Sequence, residues 1–398
     1  MNDILNITQG PIFDNSISKF EYHCYSPFLQ SFNPSDEIRI PIQQQDLCIL
    51  PSESYIYVEG SLTKADGTVS AGKLTNNAKA FLFEEIQYEL NGVNIDNNKN
   101  VGITSTLKNY ISLNANESKS LENGSWTGGS SFSLASGTFN FCIKLKYLLG
   151  FTEDYKKIIT NARHELILIR TRSNENAYFS KDNEELKLSI FKLQWRVPHI
   201  TLSDSNKLTL LKQIQSNPIQ IHFRNWEMYE YPTLPTTTDH VWTVKTSSQL
   251  EKPRYIIIAL QTDRKNQRNK DASIFDHCDV SNVKVHLNSE SYPREDLNVK
   301  YKLDRYAILY EMYSKFQQSY YQQQSNPLLS RQEFKDIAPI LVIDCSHQNE
   351  SIKTGPVDVK IELKTLTSIP ASTTMYCLIL HDRIIEYNPL TGEVNKLI

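Results

Sequence analysis

The densest group of chemically capable side chains in the sequence is Asp276-His277-Cys278-Asp279. All four types can ligate a metal. Consecutive strand residues point to opposite faces, however, and a metal needs three or four ligands converging in space. The run therefore reads as the polar entry to the strand that follows. Cys345 with His347, and His381 with Asp382, supply parts of a nucleophile, base and orienter set without a third partner. Paired carboxylates could hydrolyse a glycoside, but that chemistry depends on a separation that sequence does not display. Trp126, Trp195, Trp226 and Trp242 could form a sugar platform, although Trp195 and Trp226 lie in alternating strands and read as core. There is no Gly-rich phosphate loop, no HExxH and no GxSxG. No catalytic, cofactor-binding or metal-binding residue is assigned, and no cofactor is implied.

The elements that would have to position any site are mostly strands. The chain has 398 residues, 39% hydrophobic and 22% charged, an ordinary globular composition with room for two sizeable cores. Tyr (21) and Phe (16) outnumber Gly (13), which favours strands. A net charge of −3 argues against a protein whose main task is gripping phosphates, so no direct sequence-specific contact with nucleic acid is expected. The basic cluster Arg264, Lys265, Arg268 and Lys270 is flanked by Asp263 and Asp271 and reads as a solvated loop. The first 25 residues contain no apolar signal core, and the longest apolar run, Tyr255 to Leu260, is too short to span a bilayer. Six cysteines without a CxxC pair suggest free thiols in a protein made inside the cell and not secreted.

Period-two alternation recurs throughout. Phe139, Phe141, Ile143 and Leu145 alternate with polar residues, as do Ile219, Ile221 and Phe223, and Val357, Val359, Ile361 and Leu363. Around Ile190-Phe191 the parity slips, which predicts a β-bulge. The stripe Tyr306, Leu309, Tyr313, Phe316 and Tyr320 predicts a helix over about 304–320. Ser330 with Glu333 predicts a capping box. Further helical stretches are expected near 106–113 and 203–215, and a long surface loop at 114–136.

The order of these signals repeats. Ile86, Tyr88, Leu90 and the Asn91-Gly92 turn are answered by Val283, Val285, Leu287 and Asn288-Ser289, each pair followed by a helix. His164 to Arg172 corresponds to Val357 to Thr365, and Leu186 to Val197 to Thr373 to Ile384. Several matches in one order at nearly one offset indicate two copies of a β-rich unit. The expected fold is all-β, two tandem jelly-roll β-sandwiches (a double jelly roll) with a few short inserted helices. The expected division is 15–200 for the first, 201–215 for a connecting segment of helical spacing, and 216–390 for the second. Units of this size suit jelly rolls better than immunoglobulin-like domains.

The segments Pro51–Gly60, Glu85–Gly92 and Thr104–Tyr110 resemble those of hexon-type double jelly-roll major capsid proteins. So do Trp195-Arg-Val-Pro-His199, Pro327-Leu-Leu-Ser330 and His381–Pro389. The particular relatives that the segments resemble are those encoded by Polinton (Maverick) elements and adintovirus-like DNA viruses. The resemblance runs from about residue 15 to the end and is weakest at 114–136. It implies a virion structural protein without catalytic residues, whose copies form pseudo-hexagonal homotrimeric capsomers of an icosahedral shell. Its implied partners are itself, neighbouring capsomers, and penton and minor capsid proteins, with no membrane span. The alternative is a paired-jelly-roll carbohydrate-active enzyme or glycan-binding protein.

Overall fold

A computed structural model describes residues 16–43, 48–216, 218–244, 252–288, 290–347 and 357–397. The first half contains β1 (Ile17–Tyr25), β2 (Glu37–Ile42), β3 (Tyr55–Thr63), β4 (Phe83–Leu90), β5 (Val93–Lys99), β6 (Thr138–Lys144), β7 (His164–Arg170) and β8 (Lys187–Leu202). The second contains β9 (Ile219–Tyr231), β10 (Asp239–Val244), β11 (Pro253–Thr262), β12 (Val280–Leu287), β13 (Glu290–Tyr292), β14 (Leu341–Asp344), β15 (Val359–Thr365) and β16 (Thr373–Tyr387). In the first half the sheets run β1-β8-β3-β6 and β2-β7-β4-β5. In the second they run β9-β16-β11-β14 and β10-β15-β12-β13. The same main strands, taken in the same order, thus build both halves; the first half adds five two-residue strands, of which Lys73–Leu74, Phe132–Ser133 and Tyr178–Phe179 form a small third sheet, and in the second Val394–Lys396 pairs with β16. In each half the first strand lies beside the last, and all pairs are antiparallel, which is the jelly-roll plan.

The strands form because their side chains alternate. Ile38, Ile40 and Ile42 of β2 face inward and are fully buried, as are Val359, Ile361 and Leu363 of β15. Burial of each such side chain stabilises by about 1.5–3 kcal/mol relative to exposure. The register of β8 on β3 shifts between Ile190 and Lys192, so Phe191 is the extra residue of the expected bulge. It is 59% exposed, while Leu193, Trp195 and Val197 resume inward packing.

The repeated Asn turns carry the same bonds. Asn91 and Asn288 both adopt left-handed backbone, φ 50° and 53°. Asn91 N donates to Arg163 O at 2.8 Å, and its Oδ1 accepts from Arg163 N at 2.7 Å. Asn288 N donates to Asp358 O at 3.0 Å, and its Oδ1 accepts from Asp358 N at 2.9 Å. Asn tolerates this conformation because its short amide bonds locally. Ser289, the other half of the second turn, lies outside the described residues.

The helices are α1 (Val101–Ser112), α2 (Ala115–Ser120), α3 (Gly150–Asp154), α4 (Asp204–Ser216), α5 (Ala307–Tyr321) and α6 (Arg331–Asp336). Three expectations need correction. The helix expected near 106 begins at Val101, and the one expected from 304 begins at Ala307. The stretch 114–136 is not a plain surface loop. Asn114 and Glu117 form a capping box for α2, and Trp126 is fully buried with its Nε1 donating to Ser118 Oγ at 3.0 Å. Ser330 and Glu333 cap α6 as expected. Leu309, Tyr313, Phe316 and Tyr320 face the interior, and Phe316 packs edge-on to Tyr255 of β11 with ring centroids 5.1 Å apart.

Candidate functional site

The side chains singled out for chemistry disperse. Asp276 accepts from Arg264 at 2.7 and 3.0 Å and from Thr262 N at 2.9 Å. His277 stacks on Tyr301 at 4.4 Å, and Asp279 meets Lys302 at 3.1 Å. Burial pushes the Cys278 thiol up to about 11, away from thiolate chemistry. Among the described residues no three His, Cys, Asp or Glu side chains gather as a metal site. Cys345 is buried while His347 is exposed. Asp382 pairs with Arg254 at 2.6 Å, and His381 turns inward toward Glu227 at 3.5 Å. Trp126, Trp195 and Trp226 are buried, and Trp242 packs edge-on to Tyr231 at 5.7 Å, so the four indoles form no exposed platform.

What the fold does concentrate is polar chemistry along the seam between the two sandwiches. The helices α1 and α5, which follow equivalent strands, meet there. Tyr313 Oη donates to Tyr110 O at 2.9 Å, and Gln317 Nε2 donates to Leu113 O at 3.0 Å. These bonds satisfy carbonyls at the end of α1 that have no intrahelical partner. Further along, Arg224 of β9 grips Asp154 of α3 through Nε at 2.8 Å and Nη2 at 2.5 Å, and its backbone N donates to the same carboxylate at 2.8 Å. Its guanidinium lies 3.8 Å from the Tyr320 ring centroid. Such bidentate, stacked geometry suits Arg and not Lys. Lys108 of α1, nearly buried, pairs with Glu153 at 2.7 Å, and Glu153 also accepts from Tyr321 Oη at 2.7 Å.

The close approach depends on Gly150. A Cβ there would stand 1.8 Å from Arg224 O. Deeper in the seam, burial holds the Asp96 carboxyl above its ordinary value, against the pull of Phe151 N, Arg383 and Lys108. Asn225, with its amide oriented to satisfy both neighbours, donates to Asp96 at 2.7 Å and accepts from His381 and Arg383 at 3.3 Å. At one end of the seam Tyr387 Oη donates to Thr160 O and Asn161 O at 2.9 and 2.7 Å, and Asn91 Nδ2 donates to Gly392 O at 2.8 Å.

The basic cluster belongs to this seam as well, which corrects its reading as a solvated loop. Arg268 binds Glu175 at 2.8 Å, its carbonyl accepts from Ser180 N at 2.7 Å, and Asn266 N donates to Asn176 Oδ1 at 2.7 Å. Lys265 pairs with Glu230, Lys270 with Asp263 and Arg264 with Asp276. The loop clamps one sandwich to the other. Sequence reasoning missed the seam, because its partners lie on different halves and each residue alone resembles a surface charge.

Hydrogen bonds and ion pairs thus join the two sandwiches along the seam into one two-sandwich body. Against it stands an exposed strand: all of β1 except Tyr25 is exposed on both faces, including Ile17, Phe20 and Tyr22. No helix among the described residues is long and apolar enough to cross a membrane.

Comparison with known proteins places this architecture. No curated protein sequence matches the chain. Solved structures match over nearly its whole length. The crystal structure of PBCV-1 VP54 fitted into a cryo-EM reconstruction of the virophage Sputnik aligns with a TM-score of 0.60 at 9% identity, covering 99% of this chain and 100% of that one. The mavirus major capsid protein gives 0.57 at 10% identity, covering 100% and 93%. The Faustovirus major capsid protein gives 0.59 at 9%, covering 95% and 92%. At such identities the likeness is one of fold. The family profile described as double jelly roll-like domain matches residues 72–385, a span holding all but the first strands of the paired sandwiches. With its strand order duplicated and its two halves locked along one seam, the chain belongs to the double jelly roll-like domain family.

Proposed function

We propose that this protein is a structural major capsid protein of a DNA virus or virus-like element of the Polinton and adintovirus kind, and not an enzyme. Three copies stand around a threefold axis as a pseudo-hexagonal homotrimeric capsomer, and capsomers tile an icosahedral shell. The proposed division is 15–200 for the first jelly roll, 201–215 for the connector and 216–390 for the second. Its partners are further copies of itself and the penton and minor capsid proteins, and its place is the virion, after synthesis inside the host cell. The observation that carries this reading is the whole-length correspondence of the two-sandwich body with viral capsid structures. The physical logic agrees. Two similar sandwiches held at one angle let three chains present six similar walls, so that one protein can fill hexagonal positions. The apolar side chains exposed on β1 suit burial against another molecule.

Analytical ultracentrifugation tests the proposal. The expected species has three times the 45.9 kDa chain mass and survives dilution, because a permanent interface buries on the order of 2,000 Å² or more. Negative-stain images should show capsomers of hexagonal outline, and hydrolase assays should be blank. A monodisperse monomer at micromolar concentration, at neutral pH and moderate salt, would overturn it.

A further inference from the structure

The two sandwiches differ in how their first strand meets their last. In the second, β9 pairs with β16 along its whole length, from Ile219 opposite Tyr387 to Tyr231 opposite Met375. In the first, β1 pairs with β8 only from Leu202 back to Trp195. From there β8 continues to Lys187 bonded to β3 alone. Among the described residues its outer backbone edge, 187–194, has no strand partner. The chain after Tyr25 runs nearby without joining. Ser26 Oγ accepts from Gln194 Nε2 at 3.4 Å, and residues 30–34 then form the far wall of an open groove of about 770 Å³, with residues 185–191 as its near wall. Phe32, Leu186, Leu188 and Ile190 give the groove an apolar floor, and Lys187 and Ser189 alternate with them on the outer side.

An open strand edge over an apolar floor is a template for one more strand. The occupant must be extended, with apolar side chains at alternate positions for the floor and polar ones between. The segment Leu5-Asn6-Ile7-Thr8, outside the described residues, has that alternation. Within one chain it cannot arrive. Ser16 is held at the far end of β1, where its carbonyl accepts from Ser203 N at 3.2 Å. Along β1 the chain travels about 30 Å before reaching Tyr25, and the groove lies beyond. From Ser16 back to Thr8 a fully extended chain reaches at most about 28 Å.

We propose that Leu5–Thr8 of a second copy adds as a strand to the open edge of β8 and completes the first sheet. In the antiparallel register Leu5 and Ile7 lie over Ile190 and Leu188, and Asn6 stands opposite Ser189. The proposal rests on the capsomer reading, which sets copies side by side.

Co-expression of full-length Asn6→Cys and Ser189→Cys chains tests it. Directly opposed residues in a ladder are close enough for a disulfide. Mild oxidation should therefore give a linked peptide containing positions 6 and 189, which in this mixture only two different chains can form. Sedimentation of the same sample reports the capsomer independently. An oligomer without the linked peptide overturns the proposal and leaves the capsid reading standing; a monomer overturns both. As a second measurement, the double variant Leu5→Asp, Ile7→Asp should speed amide exchange at residues 187–190 of the oligomer by on the order of tenfold or more. Unchanged exchange there overturns the proposal.

Discussion

Replacing Gly150 by Ala should unlock the seam. The added Cβ would stand 1.8 Å from Arg224 O, whereas ordinary contact begins at 3.4 Å, so α3 and β9 must part by about 1.6 Å. The Asp154 carboxylate travels with α3, and its 2.8 Å bonds to Arg224 N and Nε would pass out of hydrogen-bonding range. Each bond to a charged group is worth about 1.5–3 kcal/mol. Overpacking adds about 1–3 kcal/mol, and the better helix propensity of Ala returns about 1 kcal/mol. The net loss should be about 3 kcal/mol or more. Urea unfolding followed by intrinsic fluorescence measures it, and the expected curve shows a lower midpoint and a second, separate transition as the sandwiches decouple. Gly67→Ala is the control: a Cβ there meets nothing within 4 Å, so its left-handed φ of 84° should cost only about 1–2 kcal/mol. If Gly150→Ala stays within about 0.5 kcal/mol of the parent, the seam is looser than these contacts imply and the reasoning fails.

Further outcomes follow from other parts of the molecule. Leu309→Ala, at a 1% exposed position of α5, should cost about 2–5 kcal/mol in the same assay; an unchanged midpoint would put that helix face on the surface. Tyr313→Phe removes the hydroxyl that donates to Tyr110 O and accepts from Leu329 N, and should cost about 1–3 kcal/mol by thermal unfolding. Alkylation without reductant should label six thiols in unfolded protein, while in folded protein buried Cys345 and Cys377 stay protected. Burial, followed by the His199 and His23 charges respectively, lowers His164 to about 3 and His199 to about 4. The unfolded chain therefore binds more protons below about pH 6.5, and stability should fall as pH drops from there toward 4. A urea midpoint that stays flat between pH 7 and 5 would count against neutral, buried imidazoles.

Much of the fold could be read from alternation, because strands with one wet face display their period directly. The bulge at Phe191 and the Ser330 cap were legible for the same local reason. The start of α1 was not. Every residue from Val101 to Ile111 is buried, so the helix has no polar face to mark its period. Trp126 was hidden because a run rich in Ser, Gly and Asn resembles solvent-exposed chain until its one indole finds a core. The seam was illegible on principle. Arg224 meets Asp154, and Arg268 meets Glu175, across sequence distances that no local pattern encodes.

The pairing of first strand with last has a temporal consequence. β1 cannot find β8 until nearly two hundred residues have been synthesised, and β9 must wait for β16 in the same way. Closing such distant loops is slow, and open edges invite wrong pairing in the interval. The first sandwich can nonetheless pair its own strands before the second exists. What it cannot do alone is cover α1, whose terminal carbonyls await Tyr313 and Gln317, or seat Arg224 against Asp154. A nascent chain halted after α4 would thus be a paired sandwich with an unclad flank, and the ribosome's direction of travel makes that half the mould on which the other is cast.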